Sequence, residues 1–167
     1  MTRMSMMPHS SSPIRFRFWL GWAILIAFCD QMVKTGIQTL MEYGQSIPLA
    51  PYFNLVHVWN TGAAFSFLAQ SGGWQRFFFI GIALVVSVGI IVILRKSSVT
   101  RDSLAYSLIL GGAMGNLIDR IARGYVVDYL DFFWRDWHWP AFNLADVGIT
   151  VGATLLIFSS FRNVQSS

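Results

Sequence analysis

Charge is scarce in this chain. Aspartate, glutamate, lysine and arginine supply 12% of its 167 residues, about half the roughly 25% usual in soluble domains. Apolar residues supply 54% and the mean hydropathy is +0.53, the composition of a membrane protein. Cysteine is nearly absent too: Cys29 stands alone, which excludes an intrachain disulfide. No zinc-type Cys/His spacing occurs, and His9, His57 and His138 are scattered, so neither a metal nor a cofactor is expected. The HExxH and serine-elbow patterns are missing and Cys29 has no placed histidine partner, which excludes zinc, serine and cysteine hydrolases. The net charge is +4, yet the basic residues form no dense patch beside exposed aromatics, so nucleic acid is not expected as a partner. With no internal repeat and no dividing linker, residues 1–167 read as one integral-membrane domain.

Long apolar runs are what the chain does have. Residues 1–13, with four serines and two prolines, read as a flexible cytoplasmic tail. An apolar run at 18–29 follows Arg15 and Arg17 and is closed by Asp30. A signal peptide would look similar, but Phe28 stands where a cleavage box needs a small residue and no A-x-A site follows. An uncleaved first helix over about 16–35 is therefore expected, with Asp30 and Lys34 one turn apart near its far end. Residues 77–94 hold no charge in 18 positions, enough to span, and define a second helix at 75–94. Two shorter runs become spans at 103–122 and 141–161 if their polar ends sit at the interface. Between the first two spans, residues 47–60 have partial strand character, with Pro48 and Pro51 marking edge positions.

Charge placement sets the orientation. The N-terminal tail, the 95–101 connection and the C-terminus hold seven basic residues (Arg3, Arg15, Arg17, Arg95, Lys96, Arg101, Arg162) against Asp102 alone. The other side holds five basic residues together with Asp30, Glu42, Asp119, Asp128, Asp131, Asp136 and Asp146. Basic loops stay inside, so both termini are expected in the cytoplasm and the acidic cluster outside. Trp59, Trp74, Trp134, Trp137 and Trp139 fall on that outer side, where indoles favour the headgroup level.

The polar residues of the outer side cluster. Asn116, Asp119 and Arg120 stand at i, i+3 and i+4 and share one helix face, and Gly124 is placed to end that helix. Asp128 follows in an aromatic and β-branched loop segment, while Asn143 and Asp146 open the next helix after Pro140. A helix hairpin brings those two ends to the same side, so Asp128 and Asp146 can be near neighbours. Two close carboxylates do not both ionise easily: one keeps a proton while the other is a base. Such a pair can deprotonate a water for attack on an amide and protonate the leaving nitrogen. The helix dipole favours Asp146 as the anion and leaves Asp128 the easier one to protonate, although coupled groups titrate as a pair. The alternative is that both are interfacial carboxylates paired with Arg120, Arg123 or Arg135. Asp131 and Asp136, farther along the loop, are expected to be solvated. Gly111 with Gly115, and Gly148 with Gly152, have GxxxG spacing, which either permits close helix packing or reflects general tolerance of glycine in spans. A small transporter with an essential carboxylate is a competing function, but each candidate here lies toward one end of its span rather than the middle.

Five segments in order, Asp30 with Lys34, NTGAAFS from Asn60, GNLIDR from Gly115, GYVVDYLD from Gly124 and FNLAD from Phe142, resemble the lipoprotein signal peptidase (signal peptidase II) family of bacteria. The resemblance implies a mainly α membrane fold of four transmembrane helices with a small extracytoplasmic β-cradle from residues 47–60 and a short periplasmic helix at 64–72. It implies an aspartic endopeptidase with Asp128 and Asp146 as catalytic dyad. Asn60, Asn116, Arg120 and Asn143 would orient substrate and dyad, and Asp30, Lys34 and Asp119 would support them. The implied substrates are diacylglyceryl prolipoproteins, cut on the N-terminal side of the lipidated cysteine. The enzyme would be a monomer embedded in lipid of the bacterial plasma (inner) membrane, its active site at the periplasmic face.

Overall fold

The helix that buries the most polar side chains is the one the other three pack against. The structure, a computed structural model, describes residues 13–62, 73–96 and 100–165. Along the chain come α1 (Pro13–Leu40), β1 (Ser46–Ala50), β2 (Phe53–Asn60), α2 (Trp74–Lys96), α3 (Thr100–Ala122), β3 (Val126–Trp134), β4 (Trp137–His138) and α4 (Leu144–Gln165). Helix α3 packs against α1, α2 and α4, and buries Ser103, Ser107, Asn116 and Asp119 beside its small residues. Among the described residues, three helices are long and apolar enough to cross a membrane: Pro13–Leu40, Trp74–Lys96 and Leu144–Arg162. Helix α3 falls short of that measure because its side chains meet other helices rather than lipid. The outer helices instead leave Ile24, Phe28, Val85, Val88, Ile157 and Phe158 exposed, as apolar solvent around the bundle requires.

Local chemistry explains the helix ends. Pro13 opens α1, where a missing N–H costs nothing. Arg95 and Lys96 close α2 beside its negative dipole end. Gly124, at φ +88°, ends α3, and the N–H groups of Arg123 and Gly124 both return to the Asp119 carbonyl. Arg15 donates to the Thr100 hydroxyl at 2.8 Å, and the Ser159 hydroxyl to Asp102 at 2.7 Å. These ties gather the start of α1, the start of α3 and the late turns of α4 at one end of the bundle.

The other end carries an antiparallel sheet in the order β1-β2-β3-β4. Ile37 of α1 and Met41 just past its end pack under Val127 and Tyr129 of β3, while Ala23, Ile90 and Leu110 form a second core within the bundle. Strand β1 is the exposed edge that Pro48 marks. The sheet is larger than residues 47–60 alone provide. Asp128, expected in a loop, lies in β3 opposite Val58, and the Trp-rich stretch forms the β3–β4 hairpin, turning at Arg135 with φ 54°. Asp131, expected to be solvated, is buried and accepts from Asn54 Nδ2 at 2.9 Å across the β2–β3 ladder. The helix expected at 64–72 and residues 1–12 of the tail lie outside the described residues.

Candidate active site

Asparagine and aspartate alternate at the junction of sheet and bundle. Asn143 precedes the first turn of α4: its Oδ1 accepts from the Asp146 N–H (3.0 Å), and Asp146 Oδ2 accepts from the Asn143 N–H (3.3 Å). This reciprocal pair is a capping box with aspartate in the role of glutamate. The other early N–H groups of α4 are also met by side chains, Leu144 by the Tyr129 hydroxyl (3.0 Å) and Ala145 by Asp30 Oδ1 (3.0 Å). All donors that a helix start leaves open are thus used, by β3, by α1 and by the cap, and Asp146 is fixed in place. The Tyr129 phenol is pushed up to about 12, chiefly by burial, and remains protonated.

Asp128 reaches the same place from β3. Its Oδ1 accepts from Asn143 Nδ2 at 2.6 Å and its Oδ2 from Asn60 Nδ2 at 3.0 Å. Asn143 therefore touches both carboxylates, one through its amide and the other through its backbone. Asp146 Oδ1 accepts from Asn116 Nδ2 at 2.8 Å. Among the described residues neither aspartate forms an ion pair. Pairing with Arg120, Arg123 or Arg135 is thus not what the fold does: Arg123 bonds Asp119 and Gln31, and Arg120 bonds the Gly62 carbonyl at 3.0 Å over the Phe79 ring. With neutral donors only, burial first and the charge of Asp146 second raise the Asp128 carboxyl to about 7, against the lowering by its hydrogen bonds from Asn60 and Asn143.

A second layer lies behind the pair, centred on the buried side chains of Lys34, Asp30 and Asp119. Lys34 Nζ donates to Asp30 Oδ2 (2.8 Å), Asp119 Oδ2 (2.9 Å) and Asn116 Oδ1 (2.8 Å). An ammonium only donates, so it claims the oxygen of Asn116 and leaves the amide nitrogen for Asp146. Asp119 also accepts from Gln31, Arg123 and the Val127 N–H, which pins the start of β3 at the residue next to Val126, Asn60's cross-strand partner. Close helix contact makes this possible: a Cβ on Gly115 would lie 2.5 Å from Asp30 Oδ2, and one on Gly112 would run into the Ala145 carbonyl. The second glycine pair of the sequence serves likewise, Gly148 against Leu108 and Gly152 against Ala105.

Both aspartates, with Asn60, Asn116 and Arg120, line a cavity of about 710 Å³ whose walls include the end of β2, residues Trp139 to Phe142 and the α4 stretch from Val147 to Val151. Asn143 is buried behind that surface. Gln31 and Tyr129 were missed by sequence reasoning. Gln31 carried a faint signal as a polar neighbour of Asp30 in an apolar helix; Tyr129 carried none. Among the described residues no three His, Cys, Asp or Glu side chains converge as a metal site requires.

A close carboxylate pair at the end of an apolar helix bundle, lining a cavity, is the kind of arrangement in which acid–base chemistry is found in membrane enzymes. Residues 22–162 match the family model described as signal peptidase (SPase) II. The lipoprotein signal peptidase of Serratia marcescens is 60% identical over 143 residues, 86% of this chain and 84% of its own length. That of Cupriavidus necator is 50% identical over 157 residues, 93% and 88% of the two chains. A solved bacterial membrane enzyme shares the fold with TM-score 0.83 at 29% identity, over 95% of each chain. The chain belongs to the signal peptidase II family, and its chemistry is proteolytic.

Proposed function

We propose that the protein removes the signal peptide from diacylglyceryl-modified prolipoproteins, cutting N-terminal to the lipidated cysteine, with Asp128 and Asp146 as the catalytic pair. The observation that carries this reading is the shared Asn143 bridge between the buried Asp128 and the half-buried Asp146, which face one cavity with neutral donors only. Asp146 acts as the base. It takes a proton from water as the water oxygen bonds to the scissile carbonyl carbon, and the Asp128 proton passes to the carbonyl oxygen. The tetrahedral diol collapses as Asp146 returns its proton to the leaving cysteine nitrogen and a diol proton goes back to Asp128, so each turnover restores the starting state. Asn60 and Asn143 hold Asp128, Asn116 orients Asp146, and Arg120 shapes the chain at Gly62 beside the cavity. Asp30, Lys34 and Asp119 form the supporting layer.

The chain works as one monomeric integral-membrane domain with four spans, α3 being the shielded one. Both termini are cytoplasmic, and the sheet and site lie at the periplasmic face of the inner membrane; the seven-to-one charge bias supports that orientation. The position of the carboxylates at one end of the bundle favours interfacial chemistry over transport. Purified protein in detergent is incubated with a diacylglyceryl prolipoprotein and with the same precursor lacking the lipid. Release of signal peptide from the lipidated form alone is the expected result, and equal cleavage of both overturns the substrate assignment.

A further inference from the structure

The route of the chain between the sheet and Asn143 offers a residue that the mechanism does not use. Strand β4 is two residues long and pairs only at Phe133 with His138 and Trp134 with Trp137. From its end the chain runs directly into residues 139–142, which form one wall of the cavity. The Trp139 N–H reaches the Phe132 carbonyl at 2.7 Å and the Phe142 N–H the Leu130 carbonyl at 3.0 Å, while Pro140 between them has no N–H to give. So short an edge strand is a weak anchor for such a wall.

His138 adds what the backbone lacks. Its Nδ1 lies 2.9 and 3.0 Å from the two oxygens of Asp131, and its ring stacks on Phe133 at 5.4 Å with planes 20° apart. A carboxylate only accepts, so Nδ1 carries the proton in either charge state of the ring. Asp131 is buried and takes its other donor from Asn54 on β2. The line Asn54–Asp131–His138 thus crosses three strands and ends at the residue before the cavity wall. Losing His138 would leave a buried carboxylate short of a donor, and either water enters or the hairpin shifts.

We propose that His138 is a positioning residue for substrate binding: through Asp131 it fixes the Trp139–Phe142 wall against which the substrate docks. The inference rests on the peptidase reading above. Asn143 is held separately, by its capping box and by the Phe142 bridge to Leu130, so the catalytic pair stays in place when the tie is cut. The loss should therefore fall on binding rather than on the chemical step.

Steady-state cleavage of a diacylglyceryl-cysteine precursor peptide in detergent micelles is measured for wild type and three variants, with melting temperature followed in the same detergent. His138→Ala removes ring and donor. His138→Phe keeps a ring to stack on Phe133 but has no donor. His138→Asn places an amide N–H near the Nδ1 position. KM should rise roughly tenfold in the Ala and Phe variants with kcat within about twofold, and should return most of the way in the Asn variant. A general loss of folded protein would lower kcat and leave KM alone. Wild-type KM in His138→Phe, or no recovery in His138→Asn, overturns the tie alone. No cleavage by the wild type overturns it together with the peptidase reading.

Discussion

Substituting Gly112 by alanine tests whether helix contact sets the site geometry. The added Cβ would run into the Ala145 carbonyl and lie 2.8 Å from Ile149 Cγ1. The first of these is backbone within α4 and cannot rotate away, so α4 must retreat from α3 by about 1 Å to regain ordinary contact. Two bonds lie across that seam, Asn116 to Asp146 at 2.8 Å and the Ala145 N–H to Asp30 at 3.0 Å. Lengthened by that amount, neither remains a hydrogen bond. Overpacking of this kind costs about 1–3 kcal/mol, which a helix bundle in lipid survives. A 1 Å displacement of a reacting group costs on the order of 10²-fold in rate. Gly112→Ala should therefore remain folded in detergent and cleave a lipidated precursor about a hundredfold more slowly. Gly89→Ala is the control, since a Cβ there meets nothing within 4 Å, and it should match the wild type. A Gly112→Ala enzyme with wild-type kcat/KM would refute the argument that α3–α4 contact positions Asp146.

Other expectations follow from single groups. Asp128 is raised from 3.8 to about 7, so it keeps a proton that the unfolded chain would release between those values; stability declines as pH rises through that window, and kcat/KM should fall as pH passes about 7. A rate that is flat or rising from pH 6 to 8 contradicts this. Asn143→Ala should fold and lose on the order of 10²-fold in rate, because both aspartates lose a contact at once; unchanged turnover removes Asn143 from the site. Reporter fusions after Arg101 and after the last residue should report cytoplasm, and one after Arg135 should report the periplasm. A periplasmic C-terminus defeats the four-span topology.

The helices were legible because apolar runs and Pro, Gly and Arg signals depend only on local sequence. Asn116, Asp119 and Asp30 with Lys34 were legible as partners by helical spacing, although what the spacing could not give was their division of labour. Asp119 bonds Lys34 and the start of β3, and Arg120 on the same face turns to Gly62 instead. Strand β3 was hidden because its partner β2 lies about seventy residues upstream, and pairing over such a distance leaves no local trace. The same holds for Asp30 as a cap on α4, a contact across 115 residues. Asp131 was misjudged because burial of a carboxylate depends on Asn54 and His138, which reach it only once the sheet has formed.

The central claim concerns Asp128 and Asp146 themselves. Asparagine is nearly isosteric with aspartate but neither takes nor gives a proton at neutral pH, so Asp128→Asn and Asp146→Asn should embed and fold normally. In cells whose only enzyme of this type is the variant, the gel mobility of a lipidated precursor reports cleavage directly. The account predicts that uncleaved precursor accumulates in both single variants, and that the double variant is no worse than either, as for residues acting as one unit. Mature lipoprotein formed at near the wild-type rate by either single variant would contradict it.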